Sequence, residues 1–160
     1  MDMIMAVSDQ GRLTAMRAAL FHVGVAGRAG INVTDFNCLA VLDKEGPLTP
    51  HDLAVRIGLT RGGAITAVVD RLQKAGYVRR SRDGADRRRV LVELVREGPY
   101  RALQEILTDV NRAYADLVES YGDAELAIIH DFAVRANEVM RKQTQRLWRD
   151  REAGREETTG

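Results

Sequence analysis

Residues Thr49 to Val95, TPHDLAVRIGLTRGGAITAVVDRLQKAGYVRRSRDGADRRRVLVELV, limit most strongly what this chain can fold into. Thr49 is a helix N-cap, Pro50 fits the first helical position, and Asp52 sits at N3, where a carboxylate favours the helix dipole. Leu48 and Leu53 flank the cap at the spacing of a hydrophobic staple. Leu53, Ala54 and Ile57 face inward, and Gly58 suits a left-handed terminator. Thr60 follows almost at once as the cap of a second short helix. Two helices joined by so short a glycine-containing turn form a helix-turn-helix.

The second of these helices is expected over Arg61 to Ala75. Ile65, Val68, Val69 and Leu72 recur at i, i+3, i+4 and i+7 and form its buried face. Gly63, Ala67, Asp70 and Lys74 fall opposite, with Thr66 and Arg71 on the flanks. The outer face of its first half is small: Gly62, Gly63, Ala64, Thr66 and Ala67. A groove-inserted helix contacts bases mainly through its N-terminal residues, and its first amides favour phosphate. Gly76 ends the helix. Tyr77 to Arg82 and Arg88 to Leu94 then alternate as strands around an Asp83-Gly84 turn, with Val90, Val92 and Leu94 on one face. A hairpin with basic arms directly after a helix-turn-helix is a wing.

Charge concentrates in the window from Arg56 to Arg89. Arg56, Arg61, Arg71, Lys74, Arg79, Arg80, Arg82, Arg87, Arg88 and Arg89 face only Asp70, Asp83 and Asp86. Ten basic against three acidic residues give +7, whereas the whole chain carries +1, so the remainder carries −6. A basic module inside an acidic frame suits a polyanion better than a small neutral substrate.

The flanking segments read as helices. Ser8 is taken as the cap of a first helix over Asp9 to Arg28, with a stripe at Leu13, Met16, Leu20, Val23 and Gly27. Thr34 is taken to open a second helix, with Phe36, Leu39, Ala40 and Leu42 as its apolar positions and Gly46-Pro47 as its stop. After Gly98-Pro99, Leu103, Ile106, Leu107, Val110, Tyr114, Leu117, Val118 and Tyr121 form a long stripe. Gly122 interrupts it, and Asp123 is read as the cap of the last helix. Ile128, Ile129, Phe132, Ala136, Val139, Met140 and Leu147 continue the pattern. From Arg149 the charged tail RDREAGREETTG has no stripe and is expected to fray. These stripes exceed what a small winged module can cover, so self-association is expected.

The 160 residues are 45% hydrophobic but only 5% aromatic, so aliphatic side chains do the packing. The run Ala18 to Gly27 is broken by His22 and too short for a bilayer. MDMIMAVSDQ lacks a basic n-region, and a lone Cys38 fits a reducing compartment, so a cytoplasmic location without membrane contact is expected. Cys38, inside the second helix, reads as a small buried apolar side chain. His22, His51 and His130 are scattered, with no nucleophile-base or metal-ligand spacing. No catalytic residue, metal or cofactor is expected.

The core resembles the MarR family of bacterial winged-helix transcriptional regulators. The likeness runs from about Val33 to Gly98. It rests on Gly46-Pro47-Leu48-Thr49, Asp52-Leu53-Ala54, Gly58-Leu59-Thr60-Arg61-Gly62, Val69-Asp70-Arg71-Leu72, Ala75-Gly76-Tyr77-Val78-Arg79-Arg80 and the wing run Asp86 to Val92. The family's wing pattern falls on Asp86, Arg88 and Val92. Gly84 stands where many members carry Pro, and Leu94-Val95 where a Leu-Thr pair is common.

The resemblance implies a mainly α fold with a small β wing: a winged helix-turn-helix on a helical dimerisation scaffold. The expected parts are a dimerisation helix (1–32), the DNA-binding module (33–96), C-terminal dimerisation helices (97–148) and a charged tail (149–160). It implies a homodimer on a pseudo-palindromic operator in double-stranded DNA, acting as a repressor released by a small, aromatic or phenolic effector. The expected DNA-facing set is Thr49, His51, Thr60, Arg61, Gly62, Gly63, Ala64, Thr66, Ala67, Asp70, Arg71, Lys74, Arg82, Asp86, Arg87, Arg88 and Arg89. Within it Thr66 is expected on a base and Arg61 on a phosphate. Arg88, just after the wing turn, is expected in the minor groove, held by Asp86; Asp70 is expected to orient Lys74 or a wing arginine. Two alternatives carry different chemistry: a thiol-based oxidation sensor of the same family through Cys38, and a winged-helix module that binds protein, against which the basic wing speaks.

Overall fold

A computed structural model describes residues 2–59 and 62–156. The elements are α1 (Met3–Arg28), α2 (Val33–Glu45), α3 (Pro50–Ile57), α4 (Gly62–Lys74), β1 (Val78–Arg82), β2 (Val90–Leu94), α5 (Pro99–Glu119) and α6 (Asp123–Glu156). The fold is thus mainly helical with one antiparallel two-stranded wing. Two compact units divide the chain, Met1–Leu107 and Thr108–Gly160.

The first unit holds the core. Leu39 and Leu42 of α2, Leu53 of α3, Val69 and Leu72 of α4, Val92 of β2 and Leu103 of α5 are all buried. Val25 and Ala26 bring the end of α1 into the same cluster. The expected inner face of α4, namely Ile65, Val68, Val69 and Leu72, is buried throughout. Thr49 caps α3 as expected, Pro50 opens it, and Gly58 closes it in the left-handed region at φ 72°. Gly76, at φ 81°, turns the chain from α4 toward the wing, a conformation that a residue with a Cβ adopts only under strain.

Several boundaries differ from expectation. α1 starts at Met3 with Asp2 as its cap, while the Ser8 hydroxyl donates to the Ile4 carbonyl inside the helix. Met3 to Val7 show that a cap-type side chain does not start a helix where the preceding residues can also be helical. α2 is capped by Asn32, not Thr34: Asn32 accepts from the Asp35 amide, and Asp35 accepts from the Asn32 amide in return. That reciprocal box satisfies two otherwise orphaned groups, which a threonine two residues further on, already inside the helix, cannot do. Ala40 is exposed, and buried Cys38 takes a core position instead.

The wing strands are shorter than read. Tyr77 precedes β1 and Arg88 precedes β2. Their register pairs Val78 with Leu94, Arg80 with Val92 and Arg82 with Val90. Leu48, read only as half of a staple, also bridges β2: its amide donates to the Val92 carbonyl at 3.2 Å, and the Val92 amide returns the bond at 2.8 Å. The segment that leads into α3 is therefore tied directly to the wing.

In the second unit α6 begins at Asp123, and the Glu125 carboxylate accepts from the Gly122 amide at 2.9 Å. Asp123 is thus the first helical residue rather than the cap. The helix continues to Glu156, through residues read as a frayed tail. Arginine and glutamate are good helix formers, so an apolar stripe is not needed to extend an existing helix. Tyr114, Leu117, Ile128, Phe132, Val139 and Leu147 are exposed, as are Met16, Leu20 and Val23 of α1. No helix among the described residues is long and apolar enough to cross a membrane.

Candidate nucleic-acid interface

The outer side of α4 carries small and polar groups. Gly63, Thr66, Ala67, Asp70 and Lys74 are exposed, while Ala64 is half-buried. A Cβ built on Gly63 would meet nothing within 4 Å, so this face is open to an approaching surface. Gly62 is the first residue of α4. Thr60 and Arg61, expected as cap and phosphate contact, lie outside the described residues.

α3 presents His51 to solvent. Thr49 is otherwise engaged: its hydroxyl accepts from the Asp52 amide at 3.1 Å and donates to the Asp52 carboxylate at 2.6 Å. That hydrogen bond, helped by nearby Arg56, Arg89 and His51, holds the Asp52 carboxyl below the usual carboxylate range. Arg89 reaches toward Asp52 at 4.0 Å and Asp83 at 3.9 Å, spanning from the wing to α3.

The wing tip is built by two aspartates acting on backbone. Asp83 accepts from the Ala85 amide at 2.9 Å, and Asp86 accepts from the Arg88 amide at 3.0 Å. These are Asx turns, the local motif that suits Asp in loops. The Asp83 amide donates to the Arg89 carbonyl and the Arg89 amide to the Asp86 carbonyl, closing the loop. Two expectations change here. Arg88 sits within the turn rather than after it, and Asp86 holds its backbone rather than its guanidinium.

Pairing redistributes the basic charge. Arg71, expected at the DNA face, makes a bidentate contact with Asp35, with Nε at 2.9 Å and a terminal nitrogen at 2.6 Å. Arg56 pairs with Glu45 at 2.7 Å, Arg79 with Glu93 at 2.8 Å and Arg80 with Asp70 at 2.5 Å. Asp35, Glu45 and Glu93 lie outside the window in which charge was counted, so the window overstated the free charge. Among the described residues Lys74, Arg82, Arg87 and Arg88 have no carboxylate partner; Arg82 donates to the Arg87 carbonyl at 3.4 Å. Within that window the described cations without a carboxylate partner thus gather at the wing tip and the end of α4.

Sequence reasoning placed Asp70 next to Lys74 or a wing arginine, and the structure selects Arg80. It missed Gln73, whose side-chain oxygen also accepts from Arg80. Asp70 and Gln73 share an i, i+3 face, but nothing local marks Arg80 as their partner. Among the described residues no group of three or more His, Cys, Asp or Glu side chains is arranged to hold a metal.

Comparison with known proteins agrees with this geometry. The sequence profile of the MarR family matches residues 29–89. The HTH-type transcriptional regulator YcgE of Bacillus subtilis (strain 168) is 34% identical over 136 residues, which cover 85% of this chain and 87% of that protein. A MarR family protein from Bacillus stearothermophilus has a similar structure, with a TM-score of 0.65 and 24% identity over 88% of this chain and 98% of that one. NadR, solved in complex with 4-hydroxyphenylacetate, gives a TM-score of 0.59 and 26% identity over 79% of this chain and 89% of that one. With its helix-turn-helix, its basic two-stranded wing and a relative alike over most of its length, this chain belongs to the MarR family of DNA-binding transcriptional regulators.

Proposed function

We propose that the protein is a homodimeric repressor that binds a pseudo-palindromic operator and leaves it when a small aromatic or phenolic anion binds. The observation that carries the DNA-facing part is the pairing of an open, small-residue face on α4 with arginines at the wing tip that lack carboxylate partners. A major groove admits a helix whose leading side chains are small. A guanidinium presented by a turn suits a narrow minor groove, where negative potential is enhanced. Arg87 and Arg88 enter there, Thr66 reads a base edge, and His51 and Lys74 contact phosphates.

Exposed apolar side chains on α1, α5 and α6 support self-association, because a monomer in water gains nothing by exposing them. NadR, a relative in fold, was solved with 4-hydroxyphenylacetate, and this supports an effector of that chemical class. Cys38 does not favour oxidation sensing. Burial, and then the Asp35 charge, pushes its thiol up to about 12, against the opposing pull of Arg71. The reactive species is the thiolate, so such a group is inert at neutral pH.

Selection of bound duplexes from a random library tests this reading. A palindromic consensus is expected, with release of the selected duplex by one or more members of a panel of aromatic acids. Enrichment of no sequence, or of a site without internal symmetry, would refute the dimeric operator.

A further inference from the structure

Asp70 presents a carboxylate on the side of α4 opposite its buried face, where a phosphate backbone would repel it. Its Oδ1 accepts from Arg80 at 2.5 Å, and Gln73, one turn further along α4, accepts from another nitrogen of the same guanidinium. Arg80 lies in β1 opposite Val92, the buried residue that is itself bonded to Leu48. One guanidinium therefore joins the helix meant for the major groove to the strand that carries the wing. The Arg80 side chain is only 32% exposed, against 71% for Arg79 next to it, so the clamp holds Arg80 down while its neighbour stays out in solvent.

We infer that Asp70 is a positioning residue for specific DNA binding: with Gln73 it clamps Arg80, seating the wing on the recognition helix and withholding that arginine from phosphates. Two consequences follow from the chemistry. The spacing between helix and wing is set by a fork of directed hydrogen bonds, which resists sliding better than a lone ammonium would. In addition, a cation next to the DNA face is neutralised until its carboxylate is removed, so Asp70 lowers sequence-independent attraction. Specificity is a ratio of affinities, and weakening the unspecific one raises it.

This inference rests on the proposed placement of α4 and the wing on DNA. The full chain would be titrated against two labelled duplexes, the selected operator and a scrambled duplex of equal composition, over a series of salt concentrations. Asp70→Asn keeps the size of the side chain and removes the charge that neutralises Arg80. Each freed cation adds about 0.9 to the salt slope and tightens scrambled-duplex binding roughly fivefold per module at about 0.15 M salt. The ratio of operator to scrambled affinity is expected to fall accordingly, and the added change Arg80→Gln to return the slope to the parent value.

A purely structural role for Asp70 would weaken both duplexes and leave the slope unsteepened. That result overturns the inference, as does a loss confined to operators changed at one base pair, which would make Asp70 a base contact. Arg88→Ala in the same series reports on the underlying placement separately. Parent-like operator binding by Arg88→Ala would remove the wing from the groove whatever Asp70→Asn does.

Discussion

Asp35 and Arg71 share one ion pair but not one environment: the Asp35 side chain is 2% exposed and the Arg71 side chain 48%. Removing the arginine strands a carboxylate in the core, whereas removing the carboxylate leaves a guanidinium that water can reach. Loss of one partner from a buried pair typically costs about 3–5 kcal/mol. Arg71→Met is therefore expected near the lower end of that range, and Asp35→Asn, which keeps an acceptor for the α2 cap, at about 1–2 kcal/mol. Urea unfolding of both variants checks the order, and a costlier Asp35→Asn would contradict the burial argument. Cys38 gives a second test at this scale. Its thiol is held up to about 12 in the folded chain against an ordinary 9.0, so the unfolded chain loses this proton first. Stability from this group is fully present below pH 9 and declines as pH rises from there toward 12. Alkylation at pH 8 is expected to be slow in the native protein and rapid in urea; equal rates would show that the thiol is accessible.

At the scale of elements, the wing combines a rigid ladder with a charged tip. Glu93 on β2 accepts from Ser81 and Arg79 on β1, and these bonds, the Ser81 hydroxyl first, hold its carboxyl below the usual range. A depressed carboxyl stabilises the folded state above its unfolded pKa and loses that contribution as pH falls through the folded value. Amide-exchange protection in β1 and β2, corrected for the intrinsic exchange rate at each pH, is expected to fall in acid in the parent protein but not in Glu93→Gln, and a parallel response in both would exclude Glu93 as the cause. At the tip, Arg88→Ala removes the guanidinium itself and is expected to weaken operator binding strongly without disturbing association. Asp86→Ala removes only the bond to the Arg88 amide and should cost about 1 kcal/mol, the net value of one hydrogen bond. Thr66→Ala is expected to change preference at one base position by about 1–3 kcal/mol, read against single-base operator variants. If Asp86→Ala were as damaging as Arg88→Ala, the aspartate would be acting on DNA or on the guanidinium instead.

At the scale of the molecule, the division of labour is between a charged module and helices with apolar faces left open. Leu20, Ile128, Phe132, Val139 and Leu147 are all more than half exposed in the single chain. A stable dimer is expected by sedimentation at micromolar concentration, and a monomer under those conditions would show that these faces serve something else. In the proposed dimer two modules on one operator double the phosphates neutralised, so log affinity should fall with log salt by about 0.9 per contact. The unpaired cations at each wing and α4 end predict a steep slope, but a shallower one than the basic residues between Arg56 and Arg89 would suggest, because among the described residues Arg56, Arg71, Arg79, Arg80 and Arg89 already face carboxylates.

The amino-acid sequence alone determined what depends on neighbours a few positions away. Thr49, Pro50, Asp52 and Gly58 delimit α3 because capping bonds and left-handed turns form within one helical turn. The buried face of α4 followed from the 3.6-residue period, and the wing from alternating residues around Asp83-Gly84. Local reading failed where two local solutions competed, as at Ser8 against Asp2 and Thr34 against Asn32, since the winning cap depends on how far the helix can extend. Only the tertiary structure decided which charges remain free. Arg71 meets Asp35 from 36 positions away, Arg80 turns back to Asp70 and Gln73, and Leu48 bonds to Val92. A charge acts through distance in space, and the chain brings together carboxylates and arginines whose separation in sequence says nothing of their separation in the fold.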